Sequence, residues 1–195
     1  MELHIIEEKT INKIDIDNRV LILNEDVTAD NINEVCIAIT KINNHDNNQD
    51  DKYKNYERKP IKLIVDSYGG SIYDGFGLIN MITSSKTPIH TYCYSKAMSM
   101  GFMIFISGHK RFAHEYSTLM MHQPSGFGWG KLKDRIEDIN ETKRLYKKIN
   151  KIILNRTNIT EKQLNKIYKR KKDWFISGKK AVKLNVADEY IQDQI

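Results

Sequence analysis

The chain has 195 residues, of which 40% are hydrophobic and 29% charged, with a formal net charge of +6. This suffices for one domain with a real core and is marginal for two, and no stretch approaches the roughly 18 uninterrupted apolar residues of a membrane helix. The opening "MELHIIEEKT" has acidic residues and no basic leader ahead of a long apolar run, so a soluble chain that stays inside a cell is expected.

Residues 19–23, "RVLIL", predict a buried strand. A helix follows from about Thr28 as N-cap, with Ile32, Val35, Cys36, Ile39 and Ile42 on one buried face. Residues 43–59, "NNHDNNQDDKYKNYERK", are polar and almost free of aliphatic side chains. They read as an exposed, mobile loop rather than a domain linker, because the pieces on either side are each too small to be domains.

"IKLIVDS" at 61–67 predicts a second strand. It runs through the "YGGS" turn into a helix whose Ser71 and Asp74 have capping-box spacing and whose Ile72, Phe76, Ile79 and Ile82 form a buried stripe. "IHTYCY" at 89–94 is a third strand and leads into "YSKAMSMGFMIFISG", where a single polar side chain, Ser99, stands at the mouth of one of the most apolar runs in the chain. Gly108 stops the helix expected there.

Short strands are expected at "RFA" and "TLMMH", followed by the glycine-rich "SGFGWGK" and a helix from about Leu132 to Arg156. Leu132, Ile136, Ile139, Tyr146, Ile149 and Ile153 fall near one face of that helix. At 1.5 Å per residue it reaches roughly 35 Å, long enough to project toward a partner. Thr160 and Gln163 cap another helix, "SGKKAVKLN" predicts a short final one, and "EYI" a last strand. Strands alternating with helices indicate an α/β fold.

Cys36 and Cys93 lie in apolar contexts without metal-type spacing, which predicts buried thiols in a reducing compartment. The basic excess is thin apart from "KRKK" at 169–172, which reads as a solvated face; a nucleic-acid module would rest on charge alone.

Three strand ends carry residues that chemistry could use. Gly69 and Gly70 let backbone N–H groups approach a ligand closely, although on that pair alone an ordinary turn is the better reading. Ser99 at a helix start is either a cap or a nucleophile beside free N–H groups that favour negative charge. His122 closes an apolar strand, a place where histidines are more often rim residues than bases. Each signal alone is weak, because serine–histidine–aspartate sets occur in different chain orders on unrelated folds.

From "VDSYGGS" onward, however, the sequence resembles the Clp protease proteolytic subunit family, ClpP. "YGGSIYDG" is similar to that family's Pro-Gly-Gly turn and following helix, "AMSMG" to its nucleophile motif, "MMHQPSG" to its histidine motif, and "KDWFISGKKAVKLNVADEYI" to its closing segment, in the family's order. The resemblance implies an α/β, crotonase-like spiral of repeated β-β-α units as one domain over 1–195, with a protruding handle at about 123–156. It implies Ser99 as nucleophile, His122 as general base and Asp173 as the residue orienting the histidine, with an oxyanion hole from Met100 and Gly69 or Gly70. It further implies no metal and no cofactor of the chain's own, ATP being used by a separate AAA+ unfoldase. The expected setting is a cytoplasmic heptameric ring, stacked or single, that takes unfolded proteins and has no nucleic-acid or membrane partner. Phe127 and Trp129, exposed among glycines, are expected to mark the ring-to-ring contact.

The match frays at four points. Tyr68 replaces the usual proline, Lys171 and Lys172 replace an acidic-basic pair that can bridge rings, the 43–59 segment is long, and the N-terminal segment resembles the family only faintly. Such divergence suits a phage-encoded or accessory paralogue. The alternatives are a prohead protease of the same fold, a catalytically silent ring subunit, and a crotonase-type acyl-CoA enzyme, which would not need this triad.

Overall fold

The computed structural model describes residues 13–124, 130–170 and 172–191. Along the chain lie β1 (Ile14–Asp15), β2 (Val20–Leu23), α1 (Ala29–Lys52), β3 (Ile61–Val65), α2 (Ile72–Ser84), β4 (Ile89–Cys93), β5 (Lys96–Met98), α3 (Met100–Ile106), β6 (Lys110–Ala113) and β7 (Thr118–Met121). They are followed by α4 (Leu132–Arg156), α5 (Glu161–Lys169), β8 (Trp174–Ser177), α6 (Gly178–Lys183) and β9 (Glu189–Tyr190).

Two sheets organise these elements. The larger runs β1-β2-β3-β4-β6-β9, parallel except for the antiparallel β1. Parallel neighbours need crossover connections, and α1 and α2 supply them between β2, β3 and β4. The smaller sheet is β5-β7-β8, with β5 parallel and β8 antiparallel to the central β7. The strand pairs β4–β5 and β6–β7 each give one strand to each sheet and are followed by α3 and α4, which is the β-β-α repeat. A Ser67–Ala97 bridge ties the end of β3 to the smaller sheet.

The core lies between the sheets and the helices. Ile61, Leu63 and Val65 alternate inward from β3, as period-two strand geometry demands. All seven residues of α3 are buried, so it is a central helix with no solvent face, which explains why its segment is apolar all round.

Three short strands, β1, β5 and β8, go beyond the elements read from sequence. β5 pairs with β7 over Lys96–Met98, and α3 follows from Met100, in agreement with the helix start read at Ser99.

Residues 43–59 depart most from the expected loop. α1 continues to Lys52, and only the remainder of the segment lacks regular structure. The physical reason is Asp46, which is fully buried on α1. It accepts from Arg19 Nη1 at 2.8 Å and Nη2 at 2.6 Å, from the Tyr56 hydroxyl at 2.7 Å and from Thr87 Oγ1 at 2.7 Å. Arg58 adds bonds to Asn47 (2.7 Å) and Thr87 (3.1 Å). A polar knot rather than an apolar stripe therefore holds this end of the helix, and hydrophobic periodicity is blind to it.

α4 has the expected bounds, but its stripe divides in two. Leu145, Ile149 and Ile153 are buried, whereas Leu132, Ile136 and Ile139 are exposed. Phe127, Trp129 and Lys171 lie outside the described residues. Among the described residues no helix is long and apolar enough to cross a membrane, and no three His, Cys, Asp or Glu side chains group as metal ligands.

Candidate active site

The smaller sheet gathers the three side chains singled out in the sequence. Met98 of β5 lies opposite Met120 of β7, and Met121 lies opposite Trp174 of β8. One step beyond these pairs come Ser99, His122 and Asp173, at the ends of three neighbouring strands. The register of a single sheet thus brings together residues far apart in the chain.

Ser99 connects β5 to α3 with φ +51° and ψ −115°, a conformation that a side-chain-bearing residue adopts rarely and at a cost. Its N–H donates to Met120 O at 2.8 Å, which fixes the turn against β7. The hydroxyl makes no capping bond to α3. Instead its Oγ lies 2.7 Å from His122 Nε2, so the choice between cap and reactive hydroxyl falls against the cap.

On the far side of the imidazole, Nδ1 is 3.6 Å from Asp173 Oδ1. That is an ion-pair separation, longer than a hydrogen bond, and the Asp173 side chain is 52% exposed.

The glycine turn passes directly over Ser99. A Cβ on Gly69 would fall 2.7 Å from Ser99 Cβ and 2.9 Å from Met100 N, and Gly69 has φ +111°. A Cβ on Gly70 would fall 2.5 Å from Val27 O. The two glycines are not equivalent as donors. Gly69 N–H is already bonded to Ser67 Oγ at 3.1 Å. In the Val27–Gly70 bridge both hydrogen bonds run through the neighbours, Val27 N–H to Gly69 O and Ser71 N–H to Val27 O. Gly70 N–H is therefore directed away from Val27. Met100, first residue of α3, has an N–H with no acceptor inside its own helix.

A narrow apolar cleft opens beside the Ser99–His122 pair, lined by Ile72, Phe102, Met103, Met121, Ile149 and Ile153. Its free volume of about 30 Å³ holds no more than a water or two, so a side chain entering it must displace flexible walls such as Met103. Sequence periodicity assigns Ile72, Ile149 and Ile153 to core stripes; only the packing of α2 and α4 across α3 reveals that they also floor a cleft. Burial pushes the Cys93 thiol up to about 12, so it stays an inert, protonated core group.

The family model for Clp protease matches residues 7–194. Among curated proteins, the chain is 30% identical over 175 residues to ATP-dependent Clp protease proteolytic subunit 2 of Synechococcus sp. (strain CC9605), covering 89% of this chain and 83% of that protein. It is 30% identical over 176 residues to the protein of the same name from Parasynechococcus marenigrum (strain WH8102), again 89% and 83%. With ATP-dependent Clp protease proteolytic subunit 1 of Prochlorococcus marinus (strain NATL2A) it shares 29% identity over 172 residues, covering 87% and 82%.

Proposed function

The chain belongs to the Clp protease family, and from that premise we propose that it is a serine endopeptidase subunit that cleaves unfolded proteins and peptides. The observation that carries the reading is the 2.7 Å contact between Ser99 Oγ and His122 Nε2 at a strained turn. In this reading Nε2 takes the hydroxyl proton as Oγ attacks the scissile carbonyl. The tetrahedral oxyanion is held by the N–H groups of Met100 and Gly70, and His122 then protonates the leaving amine. Water hydrolyses the acyl-Ser99 ester by the same route in reverse. Asp173, across 3.6 Å, favours the tautomer with the proton on Nδ1 and stabilises the imidazolium. The cleft beside Ser99 takes the apolar side chain on the acyl side of the cut.

Every group this chemistry uses is a side chain or backbone N–H, so no metal or cofactor is assigned. ATP belongs to a separate unfoldase in this proposal, in keeping with the names of the relatives. The exposed half of α4 supports assembly into a ring, single or stacked. Two free cysteines fit a reducing cytoplasm.

One observation favours a catalytically silent ring subunit: Asp173 is half exposed and beyond hydrogen-bond distance of His122. A fluorophosphonate probe with sizing chromatography separates the two. The peptidase reading expects covalent labelling of Ser99 in an oligomer, lost in Ser99→Ala. An oligomer that neither labels nor cleaves denatured protein is the silent subunit.

A further inference from the structure

Resting on that peptidase reading, we propose that Tyr68 is a specificity-determining residue that receives the substrate side chain immediately after the scissile bond and selects a flat or aliphatic one. Tyr68 precedes Gly69, whose Cα packs against Ser99. A trans peptide puts the Tyr68 Cα about 3.8 Å further on, one residue's length from the reacting centre.

The Tyr68 side chain faces outward. Ser67 pairs with Ala97 and points into the core at 1% exposure, so backbone alternation turns Tyr68 to the open face, where it is 66% exposed. The ring is nevertheless held. Lys96 Nζ lies 4.5 Å from its centroid, and that ammonium is itself anchored 2.6 Å from Asp66 Oδ1. One face of the ring is thus covered by a cation and the other is open, on a side chain that a cation–π contact keeps in place.

Direction along the substrate follows from what stands on each side of the glycine pair. Ile72, C-terminal to it, lines the cleft that touches Ser99 and His122, and in the peptidase reading that cleft receives the acyl-side residue. The leaving-group residue departs the other way, toward Tyr68. There it meets an aromatic face whose attendant cation is already neutralised by Asp66, so acidic and basic side chains gain no net partner. Apolar and aromatic side chains gain burial and stacking, which favours them about two- to tenfold.

The test uses the full-length chain and internally quenched peptides that differ only in the residue after the cut, Phe or Leu against Gly or Asp, with the cut mapped by mass spectrometry. The readout is the ratio of kcat/KM values within each variant, from which any general loss of activity cancels. We expect wild type to prefer Phe and Leu, Tyr68→Phe to keep the preference, Tyr68→Ala to bring the ratio toward one, and Lys96→Met, which frees the ring, to fall between. Fluorophosphonate labelling of wild type is read alongside. Labelling with a ratio unmoved by Tyr68→Ala, or with no preference in wild type, overturns the role of Tyr68 and leaves the peptidase standing. Absence of both labelling and cleavage overturns the two together.

Discussion

Gly69 and Ser99 are packed so closely that no side chain fits between them: a Cβ on Gly69 would lie 2.7 Å from Ser99 Cβ, where nothing flexible can give way. The positive φ of Gly69 adds backbone strain to any substitution there. Gly69→Ala must therefore shift either the turn that carries Gly70 N–H or Ser99 itself. We expect kcat to fall by roughly 10²–10³, the scale of a misplaced oxyanion donor, with about 1–3 kcal/mol of stability lost to strain. Peptide cleavage and urea unfolding of the variant check both. Wild-type turnover would mean that this contact does not align the site.

Strain at Ser99 yields a second, independent expectation. Its φ of +51° suits glycine, and its hydroxyl contributes no cap to α3. Ser99→Gly and Ser99→Ala should both drop hydrolysis to near background, by about 10⁶. Only the glycine variant escapes the strain, so it should unfold about 2–4 °C above the alanine variant, corresponding to about 1 kcal/mol. If His122 and Ser99 act as one unit, adding His122→Ala to Ser99→Ala should change the residual rate little. Equal melting temperatures would refute the strain, and an additive further loss would refute the coupling.

Legibility in the sequence followed the kind of interaction at stake. α4 and the larger sheet's β2, β3 and β4 are marked by their apolar residues, and their bounds agree to within a residue or two. Ser99 and His122 were weak signals at an expected helix start and strand end, and Asp173 stood out only through the resemblance, because a strand as short as β8, which follows it, has too few positions to show a period. Their juxtaposition needs the β5-β7-β8 register, which no local pattern encodes. The end of α1 was invisible for the opposite reason: Asp46 looks like one more solvated charge until Arg19, Tyr56 and Thr87 converge on it. The family match from residue 7 also takes in the N-terminal segment, where the resemblance had been faint.

Asp46 supplies a pH prediction. Burial raises its pKa, but hydrogen bonds from Arg19, Thr87 and Tyr56 outweigh that and hold the carboxyl well below its ordinary value of 3.8. A depressed folded-state pKa means that the unfolded chain takes up the proton first as pH falls. The stabilisation is thus fully present above about pH 4 and is lost as pH drops below the unfolded value toward the folded one. Asp46→Asn leaves Arg19 without its charge partner and should cost about 3 kcal/mol at pH 7. The gap between wild type and variant should narrow between pH 4 and pH 2. Denaturant unfolding at several pH values measures this. A gap that stays constant or widens on acidification would show that the carboxylate charge is not what the knot uses.

Assembly is the last expectation, and it rests on the exposed half of α4. Leu132, Ile136 and Ile139 are 74%, 49% and 51% exposed, on a helix whose later turns bury the same stripe. Covering each against a partner is worth on the order of 1 kcal/mol per side chain per protomer, given that each is already partly sheltered. The same turns carry Lys131, Lys133 and Arg135 beside Asp134, Glu137 and Asp138, so the charge that sets one copy against another is the +6 of the whole chain. Like charges meeting across such a contact repel, and added salt screens them while leaving the apolar contribution in place. Sedimentation across a salt series should therefore show the larger species gaining as salt rises. Ile136→Lys, which adds a charge and removes apolar area, should shift the equilibrium to smaller species at every salt. A monomer under all conditions would remove the ring from the proposed function. An assembly that instead dissociates in salt would mean that attractive charge pairs, and not the stripe on α4, hold the subunits together.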